Sequence, residues 1–394
     1  MRGLQNGERL SYLAPLIIGL ASLTVDAARL MPPHALMPLG HPDFNYYAYS
    51  YRHASYSDVV ALYASRRLYL HQIPYLHNVI EYPVIIGLYM SLMAAIPAFS
   101  GYFVASSVGL GASFALALYA LCGRGREAQW WWALSPLIFF YGLMNWDLLG
   151  IATWGMAIWA YERGFWRASG VWGGLGVATK FFPVVLLLYL GYGLWRRERL
   201  AFRQFLLGAL ITGIGMNAPF AIFGFQGWSH FFTFNSGRTP DPGLWAALVG
   251  QHLLTIADVN LLSLALTAAG GLGLLALVRR EVLNPVAAAA SALAWWLLCN
   301  KVYSPQYMLW VYYAALWTEV GPIPLTIMNL AGCLDFGLAM RWMALGTSGS
   351  PLTSLFVRMV PVPVILVRDL TLAFASLRAS IAWPLHNRSQ ARQV

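Results

Sequence analysis

Residues Tyr82 to Ala98 read YPVIIGLYMSLMAAIPA, and whether this run crosses a membrane decides the topology of the whole chain. The run is apolar enough to form a transmembrane helix. Counting it as a span would place the following cluster GRGRE, with Arg124 and Arg126, outside and would invert every later loop. Short inner loops of membrane proteins are the ones enriched in Lys and Arg. The run is therefore predicted to be an interfacial helix that lies in the headgroup plane within an outer loop.

The composition of the whole chain indicates an all-α polytopic membrane protein. Of its 394 residues, 59% are hydrophobic and only 10% are charged, whereas a soluble domain carries about 25% charged residues. Apolar runs recur without the period-2 alternation of lipid-facing strands. The predicted spans, about twelve in number, are residues 10–28, 102–121, 129–145, 148–162, 168–179, 182–195, 204–220, 259–278, 285–300, 307–319, 322–338 and 352–376.

The distribution of cations orients these spans. The predicted inner segments hold Arg2, Arg9, Arg124, Arg126, Arg163, Arg167, Arg196, Arg197, Arg199, Arg203, Arg279, Arg280, Arg378, Arg388 and Arg392. The short outer loops are predicted to hold far fewer cations: Lys180, Arg238, Lys301 and Arg341. This bias predicts that both termini are cytoplasmic, and it explains most of the net charge of +10 without a nucleic-acid partner. A first outer loop then covers residues 29–101 and a second covers 221–259, within a single membrane domain of residues 1–394.

The stretch Tyr56 to Leu68, YSDVVALYASRRL, places one carboxylate in the first outer loop. Ser55 is predicted to be a helix N-cap, with Asp58 three positions later completing a capping box. The functional alternative is that the helix dipole keeps Asp58 ionised, so that it can act as a general base. The two interpretations do not exclude each other. Arg66 and Arg67 either anchor the loop at the headgroups or contact a phosphate.

Three acidic or amide side chains of the predicted outer face also carry two interpretations each. Glu81 either favours the dipole of the following helix or hydrogen-bonds a sugar hydroxyl or the loop itself. Asn145 and Asp147, in the sequence NWD, either cap the next span or bind a sugar together with Trp146. The sequence leaves these alternatives open.

The outer cations are candidates for binding phosphate. Lys180 either snorkels toward the headgroups or binds a phosphate, and Arg238 and Lys301 have the same two interpretations. A phosphate site generally uses two or more cations. The histidines lack the spacing of a helical metal site, and the chain has no HExxH, GxGxxG or P-loop sequence. Neither a cofactor nor a sugar nucleotide as direct donor is therefore expected.

Four segments, in order, resemble glycosyltransferase family 87 over residues 56–310. They are YSDVVALYASRRL with IPYLHNVIEYPV, then SPLIFFYGLMNWDLL, GGLGVATKFFPVVLL and NKVYSPQYMLW. The resemblance implies a GT-C fold, a polyprenyl-phosphate sugar donor, typically of mannose, and inverting transfer on the outer face of a bacterial plasma membrane. It implies that Asp58, in the YSD position, is the base, and that Asp147 matches the second outer acid of such folds. Tyr303 and Gln306 of the last segment are predicted substrate contacts.

The predicted function is transfer of a sugar, expected to be mannose, from a polyprenyl-phosphate donor to a hydroxyl of a glycolipid or cell-envelope glycan. A lipid or small-solute transporter is the alternative, although no inverted repeat typical of transporters is found; a non-catalytic membrane subunit is a third. The protein is expected to be surrounded by membrane lipid. Because no DxD pair lies near Asp58, no metal is expected. The sequence leaves three questions open: which acceptor is used, whether the sugar is a pentose instead of mannose, and what the oligomeric state is.

Overall fold

The computed structural model of the chain describes residues 6–33, 45–241, 243–318 and 320–346. Seventeen α-helices occupy most of this part of the chain. They are α1 (Asn6–Leu30), α2 (Tyr46–Arg52), α3 (Asp58–Ser65), α4 (Val84–Ala94), α5 (Ala98–Ala120), α6 (Arg126–Ala133), α7 (Pro136–Tyr141), α8 (Asp147–Glu162), α9 (Trp166–Thr179), α10 (Pro183–Arg197), α11 (Arg199–Phe223), α12 (Phe225–Gly237), α13 (Leu244–Gly250), α14 (Ile256–Arg279), α15 (Pro285–Cys299), α16 (Tyr307–Ala315) and α17 (Pro322–Gly346). Within the described ranges no strand forms, which confirms the predicted all-α class.

Five helices of the described part are long and apolar enough to cross a membrane. They cover Tyr12–Leu30, Ala98–Arg124, Arg199–Phe223, Ile256–Arg279 and Pro322–Leu345. A helix of 24 residues extends about 36 Å, more than the hydrocarbon core of about 30 Å. These helices correspond to five of the predicted spans and indicate a membrane-embedded protein.

The other predicted spans that lie within the described residues do not form helices of that length. The predicted span 129–145 is wrong as a continuous helix, because α6 ends at Ala133 and α7 begins at Pro136. Pro136 lacks the N–H that would continue the first helix, and the Ser135 hydroxyl accepts from the Leu137 N–H instead. The longest of the others, α8, has 16 residues and extends about 24 Å. The count of twelve spans stays a prediction, and the span 352–376 lies outside the described residues.

The run Tyr82–Ala98 forms one short helix rather than a span. Helix α4 has 11 residues and extends about 16 Å, so it is too short to cross the hydrocarbon core alone. Its interfacial placement stays a prediction. The second predicted outer loop, residues 221–259, contains helices α12 and α13.

Contacts between residues divide the chain into two compact units. The first consists of Met1–Pro183 with Leu207–His230, and the second of Val184–Leu206 with Phe231–Val394. In the first unit α8 packs on α5 and α9, around buried Tyr102, Phe114 and Trp154. In the second unit the alanine-rich helix α15 packs against α14 and α16. The prediction of a single membrane domain stays a prediction.

The hairpin of α8 and α9 positions two of the polar residues singled out in the sequence. The turn between the helices contains Gly164, whose φ of 75° favours glycine. Because α9 returns antiparallel along α8, the first residue of α8, Asp147, lies beside the residue that ends α9, Lys180. An anion at a helix N-terminus and a cation at a C-terminus both favour the helix dipoles.

Candidate active site

Helix α3 begins at Asp58 and is attached to the segment that precedes α8. The Ser57 hydroxyl accepts from the Val59 N–H and donates to the Leu143 carbonyl at 2.7 Å. The Asp58 N–H donates to the Met144 carbonyl at 2.8 Å. The prediction of Ser55 as N-cap, with a capping box to Asp58, is therefore wrong. Ser57 has the extended backbone that directly precedes the helix, and Asp58 is already in its first turn.

Three donors from three segments hold the Asp58 carboxylate. Its Oδ1 accepts from the Tyr56 hydroxyl at 2.5 Å. Its Oδ2 accepts from the Asn145 amide nitrogen at 2.5 Å and from the Tyr82 hydroxyl at 3.2 Å. Asp58 as a whole is half-buried, and a carboxylate offers about four acceptor positions. These bonds leave about one acceptor position for a further donor, such as a substrate hydroxyl.

Burial raises the pKa of the Asp58 carboxyl above its ordinary value. The Tyr56 hydroxyl, the charge of Lys180 and the bonds from Asn145 and Tyr82 act in the opposite direction, and burial is the stronger effect. A carboxylate with a raised pKa is a better proton acceptor than an exposed aspartate. An ionised Asp58 in this arrangement can accept a proton.

Behind this carboxylate lies a buried cluster of Asn145, Lys180 and Asp147. Lys180 donates to the Asn145 amide oxygen at 3.1 Å and forms an ion pair with Asp147 at 3.2 Å. The Lys180 ammonium also lies 4.9 Å from the centre of the Tyr82 ring. All three members of the cluster are buried. The structure thus brings Asn145, Asp147 and Lys180 together with Asp58, as a connected polar network.

Arg66 and Glu81 form a two-bond ion pair within the first predicted outer loop. Both distances, from the Arg66 guanidinium nitrogens to the Glu81 carboxylate oxygens, are 2.7 Å. The Arg66 carbonyl also accepts from the Asn78 amide. This pair ties the end of α3 to the residues before α4. Arg67 follows with a left-handed backbone, φ 50°, and an exposed side chain.

A second polar cluster lies in the second unit. Arg238 pairs with Asp241 at 3.0 Å, and the other Asp241 oxygen accepts from the Tyr303 N–H at 2.9 Å. The Lys301 ammonium donates to the Ser236 carbonyl at 2.8 Å. Burial, and then the neighbouring charge of Arg238, lower the pKa of Lys301. Gln306 lies buried just before α16.

The family relationship of the chain follows from a comparison with protein-family models. The model of glycosyltransferase family 87 matches residues 80–305, more than half of the 394 residues. The chain belongs to glycosyltransferase family 87. A search of curated proteins found no match. The resemblance noted in the sequence is thereby confirmed, and it supports a glycosyltransferase.

The family 87 match includes most of the candidate site residues but not the proposed base. Asp58, Arg66 and Arg67 lie before the matched range, and Gln306 directly follows it. Assignment of the base in this family 87 protein therefore depends on its geometry. The described residues hold no group of three His, Cys, Asp or Glu side chains that could bind a metal ion.

Sequence reasoning missed three residues of these clusters in this family 87 protein. Tyr56 and Tyr82 donate to Asp58, and Asp241 joins Arg238 to the backbone of Tyr303. Tyr56 stands inside YSD and Tyr82 inside EYPV, so the motifs already contained the signal. Asp241 stands in RTPD, three residues after Arg238, a spacing at which opposite charges can pair.

Proposed function

We propose that this family 87 protein is an inverting glycosyltransferase of the GT-C type. It moves a sugar, expected to be mannose, from a polyprenyl-phosphate donor to a hydroxyl of a glycolipid or cell-envelope glycan. The reaction takes place on the outer face of a bacterial plasma membrane. The observation that supports this function best is the half-buried Asp58 carboxylate, held by Tyr56, Tyr82 and Asn145.

Asp58 supplies the proton acceptor for the reaction. The acceptor hydroxyl donates to the Asp58 carboxylate, and its oxygen attacks C1 of the donor sugar from the side opposite the phosphate. As the new C1–O bond forms, the bond from C1 to the phosphate oxygen breaks, and the prenyl phosphate leaves with the electron pair. The hydroxyl proton moves to Asp58. Because the attack is in line, the configuration at C1 inverts.

Within the second unit, Arg238 and Lys301 are the neighbouring cations that we propose to bind a phosphate group. Arg238 is paired with Asp241, as Lys180 is with Asp147, whereas the Lys301 ammonium donates to a backbone carbonyl. The lowered pKa of Lys301 reflects burial and its unfavourable position beside Arg238, and a bound anion would offset that repulsion. Fixed cations at a leaving phosphate stabilise the charge that develops in the transition state.

Transfer by the purified protein tests this function. Wild type and Asp58→Asn are incubated with labelled prenyl-phosphate mannose and a membrane lipid extract, and labelled products are counted. Removing a general base is expected to lower turnover by about 10²- to 10⁴-fold. Asp258→Asn serves as the control, since Asp258 caps the exposed start of α14, and it is expected to keep wild-type turnover.

Two results would contradict the proposal. If folded Asp58→Asn turns over like wild type, Asp58 is not the base. If the wild-type protein forms no labelled product but moves the labelled lipid across a vesicle membrane, the protein is a transporter.

A further inference from the structure

Asn145 is a buried amide whose four hydrogen-bonding positions are all used inside the protein. Its exposed fraction is 1%. Its nitrogen donates to Asp58 Oδ2 at 2.5 Å and to the Tyr82 hydroxyl at 2.8 Å. Its oxygen accepts from Lys180 at 3.1 Å and from the Trp146 N–H at 2.6 Å. An amide has two N–H donors and two acceptor lone pairs, so no position is left for a sugar.

The chemistry of the neighbours determines which way this amide points. An ammonium and a backbone N–H only donate, so the Asn145 oxygen has to face Lys180 and Trp146. The nitrogen then has to face Asp58, which only accepts when ionised. Asp147 in turn holds Lys180 in place at 3.2 Å. The order of contacts is therefore Asp147, Lys180, Asn145 and Asp58.

We propose that Asn145 is a positioning residue for Asp58, oriented by the ion pair between Lys180 and Asp147. It fixes Oδ2 of the carboxylate and stabilises the ionised form that accepts the proton. The inference rests on the proposed function, in which Asp58 is the base. In this proposal Asn145 does not make the sugar contact that the sequence predicted, but acts on the reaction through Asp58.

The proposal predicts how Asp58 titrates. Other groups also face it, from the segments before α3 and α4, from the end of α9 and from α2. They are the hydroxyls of Tyr56 and Tyr82, the charge of Lys180, and the nearby Tyr46, Tyr47 and Tyr51. All of these remain when Asn145 is replaced by leucine, which has a similar size and no donor. Losing one hydrogen bond to a charged group is then expected to raise the pKa of Asp58 by about one to two pH units.

Infrared titration of the Asp58 carboxyl band tests the proposal without requiring activity. The band is assigned by its loss in Asp58→Asn, and wild type is compared with Asn145→Leu. Asn217→Leu is the matched control, because its amide bonds Gly213 and Trp228 instead, and its titration of Asp58 is expected to equal that of wild type. Asn145→Asp is a second, isosteric variant for the case that Asn145→Leu does not fold. Two carboxyls at bonding distance share a proton. In Asn145→Asp, the pair formed by the introduced carboxyl and Asp58 is therefore expected to keep one proton up to a higher pH than Asp58 does in wild type.

Kinetics supply the second readout. The acidic limb of kcat/KM against pH is expected to move upward with the Asp58 titration in Asn145→Leu, while the KM of donor and acceptor stays within about twofold. An unchanged Asp58 titration in the folded variants would overturn the inference. So would a large rise in KM with an unmoved pH limb, which is the signature of a sugar contact. A shifted titration in a protein that transfers no sugar would support the positioning role and reject the proposed function.

Discussion

Replacing Lys180 with methionine is expected to destabilise the protein strongly, because the change leaves the Asp147 carboxylate buried without its cation. The two charges are 3.2 Å apart, and their side chains are 8% and 0% exposed. At an effective dielectric constant of about 20, unit charges at this distance interact by about 5 kcal/mol. Breaking a buried pair by removing one partner costs about 3–5 kcal/mol of unfolding free energy. We therefore expect a loss in that range.

A double-mutant cycle separates the ion pair from other effects of the substitution. Lys180→Met, Asp147→Asn and the double variant are unfolded in mixed micelles with increasing denaturing detergent, followed by circular dichroism. Because the double variant contains no uncompensated charge, it is expected to lose at least about 2 kcal/mol less than the sum of the single variants. Arg238→Gln is the control: its pair with Asp241 is partly exposed, at 33% and 19%, so its loss is expected to be about 1 kcal/mol or less. Additive losses in the Lys180 and Asp147 cycle would refute the reasoning.

Two further predictions concern stability. Gly227→Ala in α12 is expected to cost about 1–3 kcal/mol, because a Cβ there would lie 2.1 Å from the Tyr75 carbonyl oxygen. Gly215→Ala in α11 is the control, because an added Cβ there meets nothing within 4 Å, and it is expected to be neutral or slightly stabilising. If both variants lose the same free energy of unfolding in denaturing detergent, the steric argument is contradicted. Burial raises the pKa of Asp58, so the folded state loses stability as the pH rises from the unfolded to the folded pKa. Asp58→Asn is therefore expected to unfold at a higher temperature than wild type at neutral pH, with a difference that shrinks below the folded pKa. If Asp58→Asn unfolds at a lower temperature than wild type at neutral pH, the predicted gain in stability is contradicted.

The candidate site could be predicted in part because some of its signals are local. Asp58 and Asp147 each stand in a short motif next to a helix start, where a carboxylate favours the helix dipole. Arg66 and Glu81 could also be identified as polar residues of one loop. Their pairing could not, because it depends on a loop path that includes left-handed backbone at Arg67 and His71.

The sequence by itself determined the chemical class of the molecule and its family. Low charge and long apolar runs require an apolar environment, and the α class and five membrane-length helices follow from these local properties. Only the tertiary structure decided what Asn145 and Lys180 contact, whereas the break at Pro136 and the cap at Ser57 have causes that are local in the sequence. The physical reason is range. Asn145 reaches Asp58 and Lys180 across 87 and 35 positions of the chain, and such contacts arise from how helices pack, which hydropathy and spacing along one segment do not specify.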